Sequence, residues 1–204
     1  VLTSVAGNEK AIGYISLGAL NDTVKAVKVD GAEATVDNVK AGAYKLSRPF
    51  NIATKGEPTG VAKDFINFIL SKEGQAVVTD NKYIAVNDAA ESFVSDGSSG
   101  QIAVGGSSSV SPVMEKLIEA YKSVNPNASI DLQTSDSTSG MTGAMDGTFA
   151  IGMASRELKD EEAAQLTGTA IALDGIAVIV NPANTIDELS MDQIKSIYIG
   201  DITD

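Results

Sequence analysis

The sequence predicts an α/β fold, and three observations carry that expectation. Strand-like apolar segments alternate with amphipathic helix-like segments from Ile102 onward. Three of those strands run into serine-containing turns that open a helix, at residues 105–111, 135–140 and 154–157. The 204 residues are 43% apolar and 21% charged, which suits a globular chain burying a sizeable core in one or two domains. Strand and helix alternating at this spacing imply a parallel sheet with right-handed crossovers.

The elements follow in order. Residues 11–16 form a short apolar strand, and 24–29 alternate well enough to be another. Thr35 to Lys40 looks like a short capped helix stopped by Gly42. So few elements cannot cover both faces of a sheet. Residues 1–45 are therefore expected to be an incomplete α/β piece, its remainder lying before Val1 or supplied by a partner. Residues 46–54 read as extended, with Pro49 restricting its neighbours. A long helix follows, with Val61, Phe65, Phe68 and Ile69 on one face. Gly74 interrupts it, a second turn runs through 75–78, and 83–86 is a strand. Residues 87–100, with one exposed aromatic (Phe93), read as a linker.

Beyond the linker, 102–104 is a strand. Ser111 is the expected N-cap of a helix with Pro112 at its first position and Met114, Leu117, Ile118 and Tyr121 as its apolar stripe. A strand at 129–133 and a helix at 137–146 follow, capped by Ser137 or Thr138. Then come a strand at 149–153, a helix at 159–166, a long apolar strand at 170–180 interrupted by Asp174-Gly175, and a last helix at 191–198.

Residue usage excludes several function classes. A net charge of −12 argues against nucleic acid, whose binding rests on Lys and Arg neutralising phosphates. Histidine is absent, which removes the commonest general base and transition-metal ligand and weighs against an enzyme. No metal-binding spacing appears, and no cofactor is expected. The lack of cysteine rules out disulfides and thiol chemistry but says little about compartment. No apolar run approaches the roughly 20 residues of a membrane helix, and Val1 begins no signal peptide, so the chain is expected to be a trimmed piece.

The serine turns carry the chemistry. A helix N-terminus presents unpaired N–H groups and a partial positive charge, a ready anion site. Taken singly, each cluster reads as a loop with a helix cap. Three at the carboxyl ends of one parallel sheet would ring a small oxyanion with donors. Arg156, one of two arginines, sits at a helix start, where a cation is unfavourable unless an anion lies between. Arg48 either braces a crossing strand by pairing with a carboxylate or faces the ligand. Asp174, inside an apolar strand, either accepts backbone N–H groups or accepts the proton of a protonated ligand.

Gly-Ser-Ser-Ser-Val-Ser-Pro at 106–112, the turn at 135–140, Ile-Gly-Met-Ala-Ser-Arg-Glu-Leu at 151–158 and Leu-Asp-Gly-Ile-Ala-Val-Ile-Val at 173–180 resemble the phosphate-binding proteins of bacterial phosphate-uptake ABC transporters. So do 11–18, Ser-Arg-Pro-Phe at 47–50 and 197–203. The resemblance implies a two-lobed, periplasmic-binding-protein-like fold of type 2. The order of the motifs is similar to a circularly permuted Gram-positive subset, with 87–100 joining the old ends. It divides the chain into 46–204 as lobe one and 1–45 as part of an incomplete lobe two. The family's lobe-two Gly-Ser-Gly-Thr loop with its arginine has no match here, which implies half of a phosphate clamp.

The same resemblance places the ligand loops on Ser108 and Ser109, on Ser137, and on Ser155 with Arg156 beside it. Ser155 stands where the family often has an aspartate that accepts the proton of hydrogen phosphate, and Asp174 is the nearest substitute. The function so implied is an extracytoplasmic, monomeric solute-binding protein. It would be anchored as a lipoprotein on the outer face of the membrane and deliver inorganic phosphate to an ABC permease. Two other readings compete. A serine hydrolase using Ser108 or Ser109 would need a Ser–Lys dyad, with no lysine near those serines in sequence. A non-transport surface protein would have kept the fold and lost tight anion binding.

Overall fold

Residues 1–203 are described by a computed structural model. The chain opens with α1 (Leu2–Ala6) and β1 (Ile12–Ser16), then two short strands, β2 (Lys25–Ala26) and β3 (Lys28–Val29), and α2 (Val36–Lys40) capped by the Thr35 side chain. Then come β4 (Ser47–Thr54), α3 (Gly60–Leu70), α4 (Lys72–Asp80) and β5 (Ile84–Ala85). The strand–helix alternation follows: β6 (Gly100–Ser107), α5 (Ser111–Val124), β7 (Ala128–Ser135), α6 (Ser137–Asp146), β8 (Ile151–Ala154) and α7 (Asp160–Ala163). The chain ends with β9 (Thr167–Val180), β10 (Glu188–Leu189) and α8 (Met191–Ile199).

Two compact units divide these elements: residues 1–47 together with those from Asp174 onward, and Arg48–Leu173. The expected division kept 46–204 in one lobe. The structure instead groups the segment after Leu173 with the N-terminal residues, because the second half of β9 is the strand that β1 and β2 need. β1 pairs antiparallel with it from Ile12↔Val180 to Ser16↔Ile176, and β2 adds Lys25↔Val180. β3 pairs with β10, so this unit draws its strands from both chain ends. Tyr44 locks the arrangement from below, its hydroxyl donating to the Ile176 carbonyl at 2.8 Å.

In the unit Arg48–Leu173 the strand order is β4-β8-β6-β7. β6 runs parallel to both β7 and β8, as the alternation implies. The sheet is mixed beyond that, with β4 antiparallel to β8 and β5 antiparallel to the first half of β9. Its core is built on Phe50, Phe65, Phe68, Met114, Leu117 and Ile151, all at most 2% exposed.

The structure differs from two local expectations. The break between α3 and α4 falls at Ser71, whose backbone is extended. Its hydroxyl donates to Phe68 O at 2.6 Å and accepts the Gly74 N–H, ending one helix and capping the next. Gly74 lies inside α4, where a Cβ would come within 2.1 Å of the Phe68 carbonyl. The segment 87–99 is tied down rather than free. Phe93 packs edge-on against Phe68 and Tyr121, and the buried Asp64 carboxylate accepts the Ser95 hydroxyl and the Asp96 N–H. Burial works to raise the Asp64 pKa, but hydrogen bonds from Tyr121, Asp96, Ser95 and Asn125 outweigh it and hold the carboxyl below its usual range.

Candidate functional site

The three serine turns meet at the carboxyl ends of β6, β7 and β8. Parallel pairing puts Ser107 level with Ser135, and the Ser108 N–H donates to the Ser135 carbonyl at 2.9 Å. What brings α6 against these ends is glycine. A Cβ on Gly140 would lie 2.6 Å from the Gly106 Cα and 2.7 Å from the Met153 carbonyl, so the helix touches the sheet backbone directly. Gly106 itself has φ +135, a conformation that other residues rarely adopt.

That contact builds a hydroxyl chain. The buried Ser107 hydroxyl donates to the Ser155 hydroxyl at 3.0 Å, and the Ser155 N–H donates to the Ser137 hydroxyl at 3.2 Å. Ser155 and Ser137 each accept one proton from the protein, which leaves each hydroxyl's own proton for an acceptor outside it. Ser109 is half-buried and Ser108 exposed at the same mouth. Among the described residues neither hydroxyl has a protein partner.

The two helices at the mouth start differently. α6 is capped by Asp136, not by Ser137 or Thr138, its carboxylate accepting the Thr138 and Ser139 N–H groups. The Ser139 hydroxyl holds the Asp136 carboxyl below the usual range. Asp136 thus takes the role foreseen for the serines and releases Ser137 for other contacts. α5 opens at Ser111 with Pro112 behind it, after Val110, and no side chain caps it. Ser111, read as that cap, instead shares a hydrogen bond with Thr134 at 2.8 Å. The unsatisfied positive end among these turns is therefore that of α5.

Arg156 is clamped. Its Nη1 and Nη2 donate to the two oxygens of Glu162 at 2.7 and 2.8 Å, and Nη1 also donates to the Glu157 carbonyl at 2.9 Å. Its backbone carbonyl accepts from the buried Asn51 amide at 2.9 Å. Hydrogen bonds from Arg156 hold the Glu162 carboxyl below its usual range, and the pairing raises the guanidinium. The Arg48 guanidinium lies over the Phe50 ring, 5.6 Å from its centroid.

Ser108, Ser109, Ser137, Ser155 and Arg156 thus share one unit. Asp174 belongs to the other, where it is completely buried and accepts the Ser16 hydroxyl. The sequence reading missed Ser107, Asp136, Glu162 and Asn51. Aspartate before a helix-opening serine is a strong cap signal and could have been used. The partners of Arg156 lie on α7 and β4 and had no such signal. Among the described residues no group of acidic side chains could hold a metal ion, and no helix is long and apolar enough to cross a membrane.

Parallel strands ending in donor-bearing turns define a binding protein, and residues 92–204 match the family described as the PBP superfamily domain. Over its full length the chain is 52% identical to Phosphate-binding protein PstS 2 of Streptococcus agalactiae serotype V, spanning 70% of that protein. It is 48% identical to the protein of the same name from Streptococcus pneumoniae serotype 4, again spanning 70% of it. The crystal structure of a phosphate ABC transporter, phosphate-binding protein from Streptococcus pneumoniae TIGR4 superimposes with a TM-score of 0.88 at 48% identity, covering 100% of this chain and 79% of that one. The chain belongs to this family of phosphate-binding proteins.

Proposed function

We propose that the chain binds inorganic phosphate at the mouth of its serine turns and delivers it to the membrane permease of an ABC transporter, without chemical conversion. The carrying observation is the Ser107–Ser155–Ser137 chain, whose geometry turns two hydroxyls into donors beside the uncapped start of α5. Family membership supports phosphate as the anion. The ligand set we propose is Ser108, Ser109, Ser137, Ser155 and Arg156. Asp174 we assign to structure, a reading its burial and its Ser16 partner support.

A ring of neutral donors suits a chain of net charge −12, because short hydrogen bonds and helix dipoles act locally while exposed charge is screened within about 8–10 Å. We further propose that the protein works outside the cytoplasmic membrane, as a monomer held to its outer face by a lipid anchor. Calorimetric titration with phosphate, and with sulfate as comparison, tests the binding claim. Saturable one-to-one heat with phosphate that is lost in a Ser137→Ala, Ser155→Ala double variant supports it; no heat at millimolar phosphate sinks it.

A further inference from the structure

Helix α7 carries three acids in its single turn. Asp160 and Glu161 face solvent, while Glu162 is turned inward with its side chain 3% exposed. Both of its oxygens are committed, to the Arg156 fork and, at 2.8 Å, to the Lys159 N–H. A guanidinium has five N–H groups, and this one spends its end-on pair on Glu162 and a third on the Glu157 carbonyl. The edge left over is Nε–H with the outer Nη2–H, and of these only the latter has an acceptor, a long 3.4 Å hydrogen bond to Thr138 Oγ1 on α6, one residue from Ser137.

Desolvating a charge pair of this kind yields little net stability, since an apolar pair of similar volume would hold α7 as well. What it does supply is orientation. With the backbone carbonyl fixed by Asn51 and the end-on fork fixed by Glu162, the guanidinium plane is held, and its Nε–Nη2 edge matches two oxygens of a tetrahedral anion that replaces the long Thr138 bond.

We infer that Glu162 is a positioning residue of the anion site, fixing the Arg156 guanidinium so that its Nε–Nη2 edge is presented to phosphate alongside Ser137. This rests on the phosphate-binding reading above. Because Glu162 stays ionised at neutral pH, the clamp is permanent there.

The test is a double-mutant cycle read by phosphate titration, with a ligand-free measurement beside it. Glu162→Gln keeps volume and one acceptor and is expected to weaken phosphate about tenfold or more, whereas the same change in an Arg156→Ala background is expected to add less than about twofold. Equal losses in both backgrounds, or parent-like binding by Glu162→Gln, overturn the inference. Glu162→Asp, which keeps the charge but draws it back by one methylene, is the second variant should the glutamine not fold, and is expected to weaken binding as well; parent-like binding by it counts against the inference. The chain has only two arginines, so the side-chain N–H resonances of Arg156 can be assigned in the ligand-free protein. Restricted, separately resolved Nη signals in the parent should merge in Glu162→Gln; signals that stay resolved overturn the positioning role even if phosphate is not the ligand. Failure of the parent to bind phosphate, by contrast, counts against the proposed function alone.

Discussion

Replacing Gly140 with alanine probes the contact that assembles the site. The added Cβ would meet only backbone: Gly106 Cα at 2.6 Å, Met153 O at 2.7 Å and Gly105 O at 2.9 Å. None of these can rotate away, so α6 must withdraw from the sheet by roughly 0.5–1 Å. Overpacking of this kind costs about 1–3 kcal/mol. Alanine in a helix interior returns about 1 kcal/mol, so the net destabilisation expected is about 0–2 kcal/mol. Binding should suffer more than folding. Withdrawal pulls Ser137 from the Ser155 N–H, now 3.2 Å away, and misaims its hydroxyl. A lost hydrogen bond to a charged ligand is about 1.5–3 kcal/mol, or roughly 10- to 100-fold in affinity. Urea denaturation and phosphate titration on the same preparation separate the two effects. A variant that binds like the parent and is more stable by about 1 kcal/mol, the behaviour of a helix glycine with room to spare, would refute the close-contact reasoning.

Two further outcomes concern stability. Asp64→Asn should destabilise by about 3–5 kcal/mol, because a carboxylate accepting from Tyr121 at 2.6 Å, Ser95 at 2.7 Å, Asp96 at 2.9 Å and Asn125 at 3.1 Å is replaced by a group that is half donor. Hydrogen exchange should quicken first in 91–99, and a loss under about 1 kcal/mol would show that the segment is held by other means. At alkaline pH the buried Tyr44 phenol, pushed up to about 12 by burial, should make stability fall. Its neutral form is favoured in the fold, so the contribution is intact below the ordinary phenol pKa near 10 and is lost as pH rises through about 12. Tyr44→Phe should flatten that limb, and an unchanged limb would clear Tyr44.

Much of this was legible in the sequence because the signals are local. Helix α6 runs from Ser137 to Asp146, the span read from the sequence, and the serine turns converge because parallel strands with short turns leave them nowhere else to go. What was not legible depends on distant parts of the chain. The grouping of Asp174 onward with residues 1–47 follows from pairing between β1 and β9, more than 150 residues apart in sequence, which no periodicity records. Phe93 read as exposed because 87–100 is rich in Asp, Ser, Gly and Ala, yet its partners Phe68 and Tyr121 lie on α3 and α5. Arg156 could be put forward as a candidate ligand from its place beside Ser155. Its clamp could not, since Glu162 sits in an acidic run that reads as a solvated helix face.

The position of a bound anion tests the binding site most directly, through a crystal structure of this chain grown with phosphate. The expected result is one phosphate with oxygens about 2.6–3.2 Å from Ser109, Ser137 and Ser155 and from the outer edge of the Arg156 guanidinium. An ordered phosphate held elsewhere, with these serines contacting only water, would contradict it.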